Sequence, residues 1–440
     1  MEKCKLAFCI PTYNRSIMIE EFLVQFSALF YELGIDIYYY DSSEHEETRL
    51  VVEKWMMLYK NICYIRVPST WHANKKVRCI FEQYGMEQKY NYLWVCGDSV
   101  RFSELALRKI LLLFDQNHDM IIVSGTEKGQ PGTREYTDKN ELFQDCAWHM
   151  TLFGAVILNV HTMLKEVQWM GIKEKYETSD RINYSHVGYY FEIICKLEKF
   201  RAYHLAVDRG VQTSRLKLAG GWYYDAFKVL CEYWPSTIDA LPQCYMNKKD
   251  AINKLGYYSC LTPRRFLHYR CGNVYNIKTL LKYRTALKDM SRLNIFQLWG
   301  LSCLNPKLAY YIAANDLKGY IKDTKKIHRL RGFCKKHHTI YIYGAGKIAE
   351  LYGKYMQRKR ITFQGFLVTK KEKNPEILQG HPVIPLSDFE DLCEGTGIII
   401  GLNQQNIKEV QPILKELGLW KNTFHEYILP VILENWKSEK

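Results

Sequence analysis

The sequence predicts an α/β protein. Its N-terminal domain is Rossmann-like with a mainly parallel sheet; a helical middle segment and a small C-terminal Rossmann-like α/β domain follow. Three observations carry this. β-prone runs (Lys5–Ile10, Ile35–Tyr40, Asn61–Val67, Tyr92–Val95) alternate with stretches of helical periodicity. Polar turns close several of these runs: Pro11–Arg15, Asp41-Ser42-Ser43 and Gly97-Asp98. Near the C-terminus, Thr339–Tyr343 is followed by Gly344-Ala-Gly346 at the start of another helical stretch.

Taken in order, Lys5–Ile10 reads as a strand, and Ile19, Phe22, Leu23, Phe26, Leu29 and Phe30 line one face of the helix after it. Ile35–Tyr40 is a second strand, roughly Glu46–Tyr59 a helix, Asn61–Val67 a third strand, and Trp71–Tyr84 helical. Tyr92–Val95 is a short uncharged run that stops at Cys96-Gly97 and delivers one carboxylate, Asp98. A buried strand ending in Gly-Asp places an acid at the carboxyl edge of a sheet, where ligands bind. The same residues would arise if Asp98 only capped the turn before the helix at Ser103. Asp119–Gly125 and Thr151–Asn159 read as further strands, the second with Gly154 where a backbone could approach a ligand closely.

At 440 residues the chain is long enough for two or three domains, with 47% hydrophobic and 25% charged residues. No run reaches the roughly 18–20 apolar residues of a membrane span. The apolar run near the N-terminus, Leu6–Ile10, is too short for a secretory signal. Fourteen cysteines without close pairing point to thiols in a reducing, cytoplasmic compartment rather than a disulfide scaffold or a zinc site. Thr262–Ile340 holds 17 Lys/Arg against 3 Asp/Glu, interleaved with aromatics. Tyr283, Leu287 and Met290 keep helical spacing among Lys282, Arg284, Lys288 and Arg292, a pattern that suits an anionic membrane surface. No motif favours nucleic acid.

Cys9-Ile-Pro-Thr-Tyr-Asn-Arg15 after the first strand, Asp41-Ser-Ser43 after the second and Gly97-Asp98 after the fourth resemble family 2 inverting glycosyltransferases. The resemblance covers about residues 1–215 and implies the GT-A fold with a nucleotide-sugar donor. It places Pro11, Thr12, Tyr13 and Arg15 against the nucleotide and Asp41 on the base. A carboxylate suits the N3–H of uracil or thymine, so UDP- or dTDP-sugars are favoured. The family carries two or three acids after the fourth strand, whereas this chain has Asp98 alone. A Mg²⁺ or Mn²⁺ ion would then rest on Asp98, with His186 a second candidate ligand or a packing residue. The acceptor-side segment is Glu174–His186, in which Asp180, then Glu177, matches the base that takes the acceptor hydroxyl proton. Arg215 and Lys217, in the loop Arg209–Gly221, are placed to close over the donor diphosphate.

These readings divide the chain into residues 1–221, a GT-A glycosyltransferase domain; 222–337, a helical, basic, membrane- or acceptor-facing segment; and 338–440, a Rossmann-like nucleotide-binding-like domain. In the last, Gly344, Gly346 and Lys347 offer a second nucleotide site, yet the strand ending Val368-Thr369-Lys370-Lys371 has no acid for a ribose. The expected activity is inverting transfer of a sugar to a glycan or lipid-linked glycan in cell-surface polysaccharide synthesis, at the inner face of the plasma membrane. The alternatives are a non-catalytic sugar-nucleotide-binding or assembly protein, and a bifunctional enzyme with a C-terminal NAD(P)-dependent domain.

Overall fold

In the N-terminal unit every residue of the first strand, β1 (Leu6–Thr12), is buried, as expected of the middle of a two-sided sheet. The structure is a computed structural model describing residues 6–126, 131–208, 210, 212–213, 222–314, 317–370, 372, 374–389, 395–428 and 433. The chain continues through α1 (Ser16–Leu33), β2 (Ile35–Asp41), α2 (Glu47–Met56), β3 (Ile62–Arg66), α3 (Ala73–Glu87), β4 (Tyr92–Val95), β5 (Val100–Arg101) and α4 (Glu104–Leu112). Then come β6 (Met120–Ser124), β7 (Arg134–Tyr136), α5 (Lys139–Cys146), β8 (Val156–Asn159), α6 (Trp169–Tyr176), α7 (Ser185–Lys196), β9 (Ala202–Ala206) and β10 (Gln212–Thr213).

Eight of these strands form one sheet in the order β3-β2-β1-β4-β8-β6-β9-β7, while β5 and β10 make a separate pair. Strands β3, β2, β1 and β4 are mutually parallel, as are β6 and β9; β8 runs antiparallel to β4 and β6, and β7 antiparallel to β9. The chain moves outward from β1 to β3 and then returns to the other side of β1 as β4. The topological switch point therefore lies between β1 and β4, and it is beyond the carboxyl ends of such strands that open α/β sheets form their ligand crevice.

Phe8 sits at the centre of the core. Its ring meets Phe22, Phe30, Trp94 and Phe102 at centroid separations of 5.7, 5.1, 5.2 and 5.9 Å. Three of these four contacts are edge-to-face, the arrangement aromatic quadrupoles prefer. α4 starts where Ser103 accepts a hydrogen bond from the Ala106 amide, so the cap belongs to Ser103 rather than Asp98. The strand expected over Thr151–Asn159 begins only at Val156. Gly154 has a φ of +102°, and a Cβ there would lie 2.4 Å from Cys96 Sγ, so the glycine is required by its close approach to the residue that follows β4. Its carbonyl accepts a hydrogen bond from Trp94 Nε1 at 2.9 Å.

The stretch 222–337 is helical: α8 (Ala226–Lys228), α9 (Trp234–Asp239), α10 (Lys248–Leu255), α11 (Pro263–Cys271), α12 (Ile277–Met290), α13 (Ile295–Cys303), α14 (Pro306–Ala313) and α15 (Leu317–Lys336). It contributes to two compact units, Met1–Thr262 with Leu281–Ile295, and Pro263–Leu280 with Phe296–Lys440.

The second unit holds β11 (Thr339–Tyr343), α16 (Lys347–Arg358), β12 (Gly365–Val368), β13 (Ile377–Leu378), β14 (His381–Pro385), β15 (Thr396–Ile400), α17 (Gln404–Glu416) and β16 (Thr423–Phe424), with sheet order β13-β14-β12-β11-β15-β16. Along β11, Ile340 and Ile342 enter one core while Tyr341 and Tyr343 enter another, so both faces of this sheet are covered. Gly344 has a φ of +111°. A Cβ on Gly401 would stand 2.7 Å from the Ala349 Cα, which explains small residues at both ends of that helix–sheet approach. No side chain or backbone lies within 4 Å of a Cβ placed on Gly346.

One buried glycine offers a test of packing in the N-terminal unit. A Cβ on Gly85 of α3 would lie 2.4 Å from the Leu164 carbonyl oxygen, a backbone atom. Gly85→Ala is expected to cost about 1–3 kcal/mol through this overlap, although alanine favours helices. Urea unfolding of the two proteins checks this, and an equal or higher midpoint for the variant refutes it.

Candidate functional site

The carboxyl ends of β1, β2 and β4 bring Thr12, Asp41 and Asp98 to one edge of the sheet. Thr12 Oγ1 donates to Asp98 Oδ2 at 3.2 Å across the switch point. The turn after β1 is fastened to the turn after β2. Asn14, in the left-handed region at φ 51°, donates its amide to Ser43 Oγ at 2.7 Å, and its side-chain oxygen accepts from the Glu44 amide at 3.1 Å. Pro11 and Thr12 are buried, Tyr13 is exposed, and Arg15 lies half-buried at the start of α1.

Beneath this edge sits Lys76, 2% exposed. Its Nζ donates to the Thr12 carbonyl at 2.6 Å and to Ser42 Oγ at 2.9 Å. Burial pulls its pKa down to about 8, opposed by the charges of Asp41 and Asp98. Lys76 was not among the expected residues. Its signal was present in the spacing: it shares the apolar face of α3 with Ile80 and Tyr84, at i+4 and i+8, where a lysine has no solvent to reach. Arg101 was also missed. It is buried, with Nη1 on the Asp98 and Val100 carbonyls at 2.8 and 2.9 Å and Nη2 on Glu21 at 2.6 Å, so it clamps the backbone around Asp98 to α1.

The two strand-end acids differ in environment. Asp41, which the resemblance places on the base, is fully buried. Its Oδ1 accepts from the Ser43 amide at 2.8 Å and from the Ser43 hydroxyl. Its Oδ2 accepts from Tyr64 at 2.8 Å and Arg66 at 3.4 Å. Asp98 is largely but not fully buried and takes the Thr12 hydroxyl. Burial raises its pKa above the usual carboxylate value, partly offset by Arg15, the Thr12 hydrogen bond, Lys76 and Arg101.

On the acceptor side, Asp180 is about half exposed, with its side chain at 48%. Ser236 donates to its Oδ2 at 2.5 Å and Thr178 to its Oδ1 at 2.7 Å, and these bonds lower its pKa. Glu177 is nearly buried in an ion pair with Arg78 and accepts from Tyr189 at 3.0 Å. His186 is buried against Phe153 and Tyr190, with Nε2 on the Thr151 carbonyl at 3.3 Å, and desolvation lowers its pKa to about 4. It is a neutral packing histidine. Arg215 and Lys217 lie outside the described residues. Gly344, Gly346 and Lys347 form the turn opening α16 in the second unit.

A divalent ion would find a poor donor set. Among the described residues no three His, Cys, Asp or Glu side chains are grouped for a metal, and Asp98 has cations, Arg15, Lys76 and Arg101, as its charged neighbours. The residues present do not make a preformed ion site.

Residues 7–169 match the model of Glycosyl transferase family 2, a stretch that includes Thr12, Asp41, Lys76 and Asp98. The match covers less than half of the chain. Among solved structures, the chain resembles TarS of S. aureus at 10% identity and a TM-score of 0.37, covering 72% of this chain and 54% of that one. It thus spans about half of that TarS chain. For residues 1–349 of TarS the values are 12%, 0.38, 74% and 91%. The mannosyltransferase PcManGT from Pyrobaculum calidifontis, in complex with GDP-Man and Mn²⁺, aligns at 12% identity and a TM-score of 0.36, covering 70% of this chain and 85% of that one. No curated protein matches.

The buried lysine makes a pH prediction. A folded pKa of about 8, against 10.5 in the unfolded chain, means the unfolded state holds more protons between those values. Stability from this group therefore rises with pH across that window. Relative to Lys76→Met, the natural chain should gain on the order of 2 kcal/mol between pH 8 and pH 10. Urea unfolding at both values tests it, and an unchanged difference refutes it.

Proposed function

We propose that the chain is an inverting glycosyltransferase. It moves a sugar from a UDP- or dTDP-sugar to a glycan acceptor, lipid-linked, in cell-surface polysaccharide synthesis. The observation that supports this best is Asp98: a carboxyl at the switch point that is largely but not fully buried, bonded to Thr12 and with Arg15, Lys76 and Arg101 as charged neighbours. Its remaining lone pairs suit the hydroxyls of a ribose or sugar, while Arg15 suits the diphosphate. Asp41 would meet the pyrimidine N3–H only if Tyr64 or Arg66 gave up its place on Oδ2.

In this reading Asp180 takes the acceptor hydroxyl proton. The freed oxygen then attacks the anomeric carbon opposite the departing nucleoside diphosphate, and configuration inverts. Asp180 is favoured over Glu177 because Glu177 is committed to Arg78, whereas Asp180 is accessible and ionised at neutral pH. Charge on the leaving diphosphate is met by the chain's own cations. No step is assigned to Mg²⁺ or Mn²⁺.

A screen of nucleotide sugars for UDP or dTDP release tests the reading. Release should persist in EDTA and fall on the order of a thousandfold in Asp98→Asn, about 4 kcal/mol of barrier. Binding of nucleotide sugars without release, in the presence of glycan acceptors, would favour the non-catalytic alternative. Full activity of Asp98→Asn would move the site elsewhere.

We also propose attachment to an anionic membrane surface. No helix among the described residues is long and apolar enough to cross a membrane. α13 exposes Phe296 and Trp299 at 83% and 38%, three residues apart on one face, within the most basic stretch of the sequence. At about 1 kcal/mol per Lys or Arg near the surface, a few contacts suffice for binding that weakens with salt. Co-sedimentation with vesicles should be stronger for anionic than for neutral lipid at low salt, and equal binding to both refutes attachment by charge.

A further inference from the structure

Within the N-terminal unit, the last turn of α7 and the turn before α10 bring two thiols together. Cys195 Sγ and Cys244 Sγ stand 3.0 Å apart, although the residues are 49 positions apart in sequence. Neither is sealed in the core: Cys195 is half-buried and Cys244 exposed. Cys9, Cys96 and Cys146 of the same unit are buried.

The backbone on both sides of this contact is fixed from one place, the start of α5. Lys139 Nζ donates to the Cys195 carbonyl at 3.3 Å and also to that of Leu197. The next residue, Asn140, donates to the Cys244 carbonyl at 2.8 Å and accepts from the Met246 amide at 2.8 Å. Tyr245, beside Cys244, is buried and donates its hydroxyl to the Phe191 carbonyl of α7 at 2.7 Å, with the two rings 5.1 Å apart. The two cysteines are therefore presented to each other by a hydrogen-bonded frame, anchored by the buried Tyr245–Phe191 bond, not by two loose surface segments.

We infer that Cys195 and Cys244 form a reversible dithiol–disulfide pair that takes small-molecule disulfides as its oxidant. One thiolate attacks a sulfur of the oxidised small molecule, making a mixed disulfide and releasing one small thiolate. The second protein thiolate then attacks the protein sulfur of that mixed disulfide and expels the other small thiolate. The protein loses two protons and two electrons, and the small disulfide is reduced to two thiols. The product joins the end of α7 to the turn ahead of α10. It leaves untouched the Asp180–Ser236 bond, which links the segment before α7 to α9. Burial and the neighbouring thiol push the Cys244 pKa up to about 11, opposed by Lys139. Because the thiolate is the attacking species, oxidation accelerates as pH is raised above neutrality. The inference stands apart from the glycosyltransferase reading, since it needs only the two sulfurs and their frame.

The test uses the full chain, fully reduced, then exposed to oxidised glutathione at pH 8 and alkylated under denaturing conditions. The expected product has lost two hydrogens, about 2 Da, and two of its alkylation sites, with a peptide joining Cys195 to Cys244. Cys195→Ser and Cys244→Ser should each abolish that peptide while retaining the thermal midpoint of the reduced natural chain. The oxidised chain should melt at a higher temperature, because the cross-link constrains the unfolded state. The inference is overturned if every cysteine is still alkylated, or if the cross-link falls on other cysteines. It is overturned equally by glutathione persisting on Cys195 or Cys244, since a thiol 3.0 Å away should displace it.

Discussion

A buried ammonium holds the N-terminal site together. Lys76 reaches up from α3 to the carbonyl at the end of β1 and the hydroxyl after β2, so one side chain ties together two strand ends beneath the crevice. Burying a charge without partners would be prohibitive. Two hydrogen bonds and the nearby carboxylates of Asp41 and Asp98 offset that cost. The dependence runs both ways, because the turns after β1 and β2 would otherwise carry a carbonyl and a hydroxyl with fewer partners. Those turns also hold each other through Asn14, Ser43 and Glu44.

This arrangement separates the acids by role. Asp41 receives four donors and is closed to solvent, so it organises the turn. Asp98 receives one side-chain donor, keeps part of its surface open and is shifted toward its neutral form. The same accounting applies beyond the strand ends. Glu177 is occupied by Arg78 and Tyr189, and His186 by a carbonyl and two rings, while Asp180 keeps about half its surface open. A polar group with all its partners inside the protein positions others, and one with spare capacity is available to a ligand.

In the second unit, glycine plays a different part. Gly344 turns the chain through a left-handed conformation, and Gly401 lets the β15 end approach Ala349. Both serve the packing of α16 against its sheet. Gly346 faces open space among the described residues, so the Gly-x-Gly-x-x-Ala pattern here combines two positions set by helix–sheet packing with one that is not.

The sequence by itself determined the order and type of the elements in both α/β regions, because periodicity and turn chemistry are local. β4 occupies Tyr92–Val95 and β11 occupies Thr339–Tyr343, as read, and the acids after β2 and β4 stand at the strand ends. The start of β8 was misread because Thr151–Gly154 is apolar enough for a strand, yet Gly154 must turn to pass Cys96, a contact 58 residues distant. Tertiary structure alone decided which polar groups were already spent. Lys76 stands on the apolar face of its helix, a sign readable in the spacing, whereas Arg101, Asp41 and Glu177 carry no local sign of burial. Each also depends on a distant partner: Arg66 for Asp41, Ser42 for Lys76, Arg78 for Glu177 and Glu21 for Arg101, between 25 and 99 positions away. The dithiol of Cys195 and Cys244 belongs to the same class. Fourteen scattered cysteines suggested isolated thiols, and only the frame built by α5, α7 and the turn before α10 set two of them in contact.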